Sequence, residues 1–208
     1  MDAASIDFLF DFSSPYSYIA AERIDALAAR YGHAVHWRPM LLGVIFRETG
    51  GRPLTDLHDW KTAYYLEDFV RSARHQGLPY RHPSRFPQPT QAAARAMIWL
   101  QQAAPELARP FALEVFRALF VHDADVTLPE TLAGIARSLG IDPEALIAAT
   151  QAPEMKAALV ANCEAATAAR VVGAPTFIVD GEKFWGRIGC RSSSSGCASA
   201  PAARAFAR

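Results

Sequence analysis

The sequence predicts an α/β fold: a strand–helix–strand unit near one end and a β-hairpin near the other, framing an all-helical insertion. Three observations carry this. An apolar run, Ile6-Asp7-Phe8-Leu9-Phe10, gives way at Ser14-Pro15 to a helical pattern and then to Ala34-Val35-His36-Trp37-Arg38. The stretch from about Asp56 to Val172 reads as a succession of helices. Beyond it, Thr176-Phe177-Ile178-Val179 and Glu182-Lys183-Phe184-Trp185 flank the turn pair Asp180-Gly181, a strong hairpin signal.

Each element has a local reason. Ile6 to Phe10 alternates once and then runs apolar, as a buried strand does. Ser14 is a good N-cap and Pro15 suits the first helical position. Apolar residues then recur at Ile19, Ala20, Ile24, Leu27, Ala28 and Tyr31 until Gly32 ends the helix. With the strand Ala34 to Arg38, this makes a βαβ unit with a parallel pair. In the middle, Asp56 to Gln76 reads as one long helix closed by Gly77. A loop rich in proline and aromatics, Leu78 to Pro89, follows it. Helices are then expected at about Thr90 to Ala103, Glu106 to Val121 and Pro129 to Leu139, the last opened by a capping box from Thr127 to Glu130. Asp142-Pro143 starts a short helix, and Glu154 to Val172 is a longer one closed by Gly173. A βαβ unit, a helical insertion and a ββ hairpin in this order form the thioredoxin-like plan. Residues 1–50 and 170–208 are expected to form the thioredoxin-like domain, discontinuous in sequence, and 51–169 the insertion.

At 208 residues the chain is long enough for one good core with a large insertion. Lys+Arg and Asp+Glu both number 21, so no net charge draws the chain to nucleic acid or a membrane surface. A small molecule is the expected partner. No apolar run approaches the roughly 20 residues that span a bilayer, and the acidic start, Met-Asp-Ala-Ala-Ser, argues against a signal peptide. Cys163, Cys190 and Cys197 form neither a disulfide framework nor a metal site, which fits a cytoplasmic protein. The histidines show no ligand spacing, so no metal is expected.

The chemistry concentrates at Asp11-Phe12-Ser13-Ser14-Pro15-Tyr16-Ser17-Tyr18. The Ser14 hydroxyl falls at a helix N-terminus, where thioredoxin-like oxidoreductases carry a Cys-x-x-Cys pair. Here both positions are serine, Ser14 and Ser17, which argues against a thiol-disulfide oxidoreductase. The site has the geometry to stabilise a thiolate and lacks a thiol of its own. The sulfur therefore arrives as a ligand, with glutathione the candidate. A free thiol of pKa about 8.5 is only about 3% thiolate at pH 7. Helix N-termini and hydroxyl donors favour the anion, and lowering the pKa by about two units is worth about 2.7 kcal/mol.

Ser-Pro-Tyr-Ser-Tyr after an Asp-Phe strand end, Val-Gly-Ala-Pro-Thr before the hairpin and Phe-Trp-Gly after it occur in that order. The combination resembles the 2-hydroxychromene-2-carboxylate isomerases, relatives of kappa-class glutathione transferases and DsbA-type oxidoreductases, over about Ile6 to Gly186. The resemblance implies a glutathione-dependent cis-trans isomerase of aromatic catabolism, acting by reversible thiolate addition, and a homodimer. It implies that Ser14 hydrogen-bonds the glutathione sulfur, that Ala174 pairs its backbone with the cysteinyl part, and that Pro175 is a cis-proline. Gly186 falls with the glutathione-binding residues. Tyr16, Tyr18 and Trp185 are candidates to line an aromatic substrate pocket. Phe46 falls near where isomerases acting on the aromatic acid carry a lysine, a departure from the family pattern. Arg81, His82, Arg85 and Gln88 on the proline-rich loop are weighed as an acid-orienting set against a solvated loop, with the loop preferred. A kappa-type transferase and an inactive glutathione- or small-molecule-binding domain are the alternatives.

From Arg187 onward the character changes to a serine- and alanine-rich tail. Family members typically continue Trp-Gly with Gln/Asn-Asp-Arg-Leu and a closing amphipathic helix. Deleting one G from GGG CAG GAT CGG CTG C gives codons for Gly-Arg-Ile-Gly-Cys, the residues at Gly186 to Cys190. The tail thus reads as a frameshift product, with Cys190 and Cys197 accidents of frame. The lost Asp-Arg pair would hold the γ-glutamyl end of glutathione in the family. The lost apolar face is worth about 8 kcal/mol, comparable with the whole stability of a domain. The expectation is a damaged C-terminal edge and weak glutathione binding.

Overall fold

A computed structural model describes residues 5–186. The chain opens with strand β1 (Ser5–Phe10), helix α1 (Pro15–Arg30) and strand β2 (Ala34–Pro39). Seven helices follow: α2 (Leu42–Thr49), α3 (Asp59–His75), α4 (Gln91–Ala103), α5 (Pro105–Phe120), α6 (Pro129–Ser138), α7 (Pro143–Gln151) and α8 (Pro153–Ala168). Strands β3 (Thr176–Val179) and β4 (Glu182–Trp185) close the fold. The sheet runs β2-β1-β3-β4, with β1 parallel to β2 and antiparallel to β3. This is the thioredoxin-like α/β arrangement, and the helical insertion lies between β2 and β3. No helix among the described residues is long and apolar enough to cross a membrane.

The period-2 pattern of the strands explains how the insertion attaches. Ile6, Phe8 and Phe10 share one face of β1, and Val35 and Trp37 lie opposite them on β2. All five are buried. Phe8 stacks on Phe10 and Phe177 at 5.1 and 5.3 Å and meets Trp37 edge-on at 5.1 Å. Phe10 and Phe12 continue the ring cluster to Phe116 of α5, at 5.7 and 4.9 Å. The sheet and the insertion therefore share one apolar core.

β2 is an edge strand, and its outward carbonyls are capped by side chains. Val35 O accepts from Arg109 at 2.7 Å, Trp37 O from Gln101 at 2.7 Å and Pro39 O from Asn162 at 3.0 Å. Alternate carbonyls of one edge are thus closed by α5, α4 and α8, which blocks pairing with another strand.

Four local expectations are corrected. Helix α2 lies where no element was expected, because its first free amide is capped from a distance: Leu42 N donates to Asp11 Oδ2 at 2.7 Å. The helix expected from Asp56 starts at Asp59, with His58 Nδ1 accepting from Trp60 N, and Leu54–Asp56 forms a separate 3-10 turn. The Thr127–Glu130 capping box does not form. Thr127 Oγ1 donates to Asp125, and α6 starts from Leu128 with no side-chain cap. Finally, α8 ends at Ala168 rather than Val172, and Arg170 rather than Gly173 takes the left-handed turn, at φ 53°. The hairpin forms as expected, with Asp180 and Gly181 both at positive φ (50° and 81°). The reading of the tail as a frameshift product, with the damaged edge expected from it, concerns residues 187–208, which lie outside the described residues.

Candidate active site

Ser14 is the N-cap of α1: its Oγ accepts from Ser17 N at 3.1 Å and donates to Ala174 O at 3.1 Å. The serine is 4% exposed. The peptide bond from Ala174 to Pro175 is cis. Pro175 O accepts from Gly186 N at 3.0 Å, so the segment before β3 is held on one side by α1 and on the other by the end of the hairpin. Ser17, the second position of the Ser-x-x-Ser pair, is fully buried, and its Oγ has no hydrogen-bond partner among the described residues. It faces the core rather than the site.

Asp11 braces this corner. Its Oδ1 accepts from Ser13 N and from Thr90 Oγ1, each at 2.8 Å, while Oδ2 caps α2. One buried carboxylate therefore fixes the β1–α1 turn, the start of α2 and the approach to α4. Sequence reasoning passed over Asp11 and Thr90. The only local signal was a carboxylate at a strand end, three residues before the N-cap.

A cavity of about 790 Å³ opens at Ser14, within the range of small-molecule sites. Ser14, Tyr16, Phe46, Ala174 and Trp185 all line it, whereas Pro175 and Gly186 do not. Leu42, Leu57, Phe69 and Phe86 add apolar wall, and Arg47 and Arg52 also line it. Two glycines let aromatic rings approach the backbone: a Cβ on Gly173 would stand 2.5 Å from the Trp185 indole, and one on Gly51 2.5 Å from the Phe46 ring. Tyr16 donates its hydroxyl to Asp68 Oδ2 at 2.6 Å and packs edge-on against Phe69. Burial, and then the Asp68 hydrogen bond, push its pKa well above the ordinary phenol range. Tyr16 therefore stays protonated, with its proton held by Asp68.

Tyr18 does not line the cavity. Its ring packs against Phe116 and Phe120, its hydroxyl donates to Pro79 O at 2.8 Å, and burial pushes its pKa up to about 12. On the proline-rich loop, Arg81 pairs with Asp123 at 3.0 Å and Arg85 with Asp125 at 2.5 Å. Gln88 also lines the cavity, but its side chain accepts from Val126 N and donates to Ala124 O. These groups hold the loop to the α5–α6 connection.

A buried serine that caps α1 beside a cis-proline, at an apolar cavity, is set in a thioredoxin-like fold. A family model, the DSBA-like thioredoxin domain, matches residues 5–191, and the chain belongs to that family. Among curated relatives, the chain is 26% identical over 177 residues to glutathione S-transferase kappa 1 of Caenorhabditis elegans, covering 82% of this chain and 78% of that one. It is 27% identical over 183 residues to 2-hydroxychromene-2-carboxylate isomerase of Sphingobium xenophagum, covering 88% and 92%. The solved structure of a 2-hydroxychromene-2-carboxylate isomerase superposes with a TM-score of 0.78 at 26% identity, covering 88% of each chain.

Proposed function

We propose that this protein is a glutathione-dependent isomerase of the 2-hydroxychromene-2-carboxylate type. The observation that carries the reading is the Ser14 hydroxyl, held at the N-terminus of α1 beside Ala174 and opening onto the apolar cavity. The residues present fit a bound thiol. A serine hydroxyl rotates freely, so Ser14 can turn its proton from Ala174 O to a sulfur while its oxygen keeps capping Ser17 N. The positive end of α1 adds to the stabilisation of an anion there.

Glutathione, when bound, supplies a thiolate for reversible addition to a conjugated carbon, so that a double bond becomes single, rotates and is restored on elimination. Ser14 holds the sulfur as the anion. Phe46, Phe69, Phe86 and Trp185 lie against an aromatic substrate and keep water from it, and the Tyr16 oxygen accepts a hydrogen bond from a substrate hydroxyl. No net oxidation is involved, in keeping with serine at both positions of the pair.

A kappa-type transferase, in which the electrophile is consumed, is the second reading, supported by the kappa-class relative of similar identity. The test is glutathione-dependent ultraviolet turnover of a hydroxychromene carboxylate, run beside conjugation of chlorodinitrobenzene. Turnover of the first alone supports the isomerase and of the second alone the transferase. Absence of both, with no heat of glutathione binding, leaves a non-catalytic domain.

A further inference from the structure

We propose that the outer face of α3 is a two-fold interface between two copies of this chain, centred on Tyr64. The inference is independent of the reading of the cavity. Helix α3 is fastened to the fold at one end. Its buried residues are Phe69, Ser72 and Ala73, and none of the residues from Asp59 to Asp68 is buried. One side of the helix, with Tyr65 and Phe69, lines the cavity. Another side carries Trp60, Tyr64, Glu67 and Arg71, which follow the i, i+4, i+7, i+11 spacing of one helical stripe.

This stripe presents apolar surface that the fold leaves open. Trp60 is 83% and Tyr64 57% exposed. Of the nine large hydrophobic side chains exposed among the described residues, four (Trp60, Tyr64, Tyr65 and Val70) belong to this one helix. The rings are already ordered. The Arg71 guanidinium stands 5.8 Å from the Tyr64 ring centroid and pairs with Glu67 at 3.8 Å and Asp68 at 3.5 Å. Trp60 packs edge-on against His58 at 5.2 Å. Trp, Tyr and Arg dominate protein interfaces, and ordered rings lose little entropy on docking. At about 150–250 Å² for a buried aromatic side chain, the exposed parts of Trp60, Tyr64 and Tyr65 offer on the order of 400 Å² per copy. Two such faces with their charged flanks reach the roughly 1,000 Å² that a specific interface needs.

The charge pattern selects a second copy as the occupant. In an isologous pair, every contact of one residue with another is repeated with the roles exchanged. Lys61 and Glu67, both exposed, lie three residues before and three residues after Tyr64. Antiparallel pairing about an axis at Tyr64 therefore sets Lys61 against the partner's Glu67, and Glu67 against the partner's Lys61. The Tyr64 rings meet at the axis, with Trp60 beside them. Parallel pairing would face each charge with its own kind. The stripe is thus self-complementary in one orientation, with an aromatic centre and a charged rim.

The test is sedimentation equilibrium of the full chain over a range of concentrations, with circular dichroism to verify the fold of each variant. Wild type is expected to form a concentration-dependent dimer. Trp60→Ser and Tyr64→Ser, both at exposed positions, should shift it to monomer with an unchanged far-ultraviolet spectrum. Lys61→Glu and Glu67→Lys each set like charges together twice, and each should raise the dimer dissociation constant about tenfold. The exchange Lys61→Glu/Glu67→Lys restores opposite charges and should recover wild-type dimerisation. A wild type that stays monomeric overturns the inference and leaves the face to residues 187–208 or to a different partner. A dimer that no single variant weakens overturns it too, as does a charge exchange that dimerises no better than the single variants. Dimerisation is read without ligand, so its failure leaves the isomerase reading standing, and absence of turnover leaves the interface standing.

Discussion

The Ser14 hydroxyl donates to the carbonyl oxygen of Ala174 at 3.1 Å, joining residues 160 positions apart in the chain. The same oxygen atom caps α1 through Ser17 N. One side chain thus ends a turn, starts a helix and ties that helix to the residue before the cis-proline. A ligand thiol at this point would compete with Ala174 O for the hydroxyl proton, so structure and binding are linked through a single rotor.

Replacing Ser14 separates the two roles. Ser14→Ala removes the cap, worth about 1 kcal/mol, together with the tie to Ala174, so a loss of about 1–3 kcal/mol is expected in urea denaturation. Thiolate absorbance of bound glutathione near neutral pH should also disappear. Ser14→Cys should place a thiol at the same helix N-terminus, with a pKa below the ordinary value of about 8.5. The pH dependence of its alkylation, measured against wild type, checks this. Cys163 contributes little to the background because it is buried and its thiol pKa is raised, chiefly by desolvation.

Asp11 joins three segments through two oxygens, so Asp11→Asn should be costly despite its shape. An amide that keeps its oxygen toward Ser13 and Thr90 turns an NH₂ toward Leu42 N, donor against donor. A loss of about 2–4 kcal/mol is expected, with faster hydrogen exchange at the Leu42 amide. Stability within about 0.5 kcal/mol of wild type would show that the carboxylate does not cap α2.

The β2 edge gives a third prediction. Gln101→Leu leaves the Trp37 carbonyl without its side-chain donor, at a cost of about 1–2 kcal/mol. It also opens one position of an edge to another strand. Sedimentation of the variant should show more concentration-dependent association than wild type, and Gln101→Leu with Arg109→Leu more again.

His82 gives the pH dependence. Its ring lies between Phe86, at 4.7 Å, and Phe69, at 6.3 Å and nearly parallel, and its Nδ1 pairs with the Tyr80 hydroxyl at 3.0 Å. Burial lowers its pKa from the usual imidazole value, against a smaller opposing pull from Asp123. The unfolded chain therefore binds a proton at higher pH than the folded one. This contribution is fully present above the unfolded value of about 6.5 and is lost as pH falls through the folded value. The melting temperature should fall between pH 7 and pH 5, and His82→Phe should flatten that slope. Because Phe69 and Phe86 are cavity walls, ligand affinity should weaken over the same range.

The strands, the hairpin and helix α1 were readable in the sequence because each rests on neighbours within a few residues. Ser14-Pro15 sets the N-terminus of α1, and Asp180-Gly181 supplies two positive-φ residues for a tight turn. Helix α2 was not readable. Its sequence, Leu42 to Thr49, carries no capping side chain, and the cap comes from Asp11, 31 residues away. The α6 capping box failed for the related reason that Asp125 competes for the Thr127 hydroxyl.

The sequence by itself determined the βαβ–helices–ββ order and the serine at the thiol position, because both depend on residue type and local spacing. Only the tertiary structure decided what faces Ser14. Tyr16 and Tyr18 are two residues apart on one helix, yet the first lines the cavity and the second lies in the core. Arg47 and Arg52 reach the cavity wall because α2 is capped from β1 and the chain turns at Gly50. The reason is physical: a cavity is bounded by segments distant in sequence, and which side chains face it depends on how helices pack, not on their own periodicity.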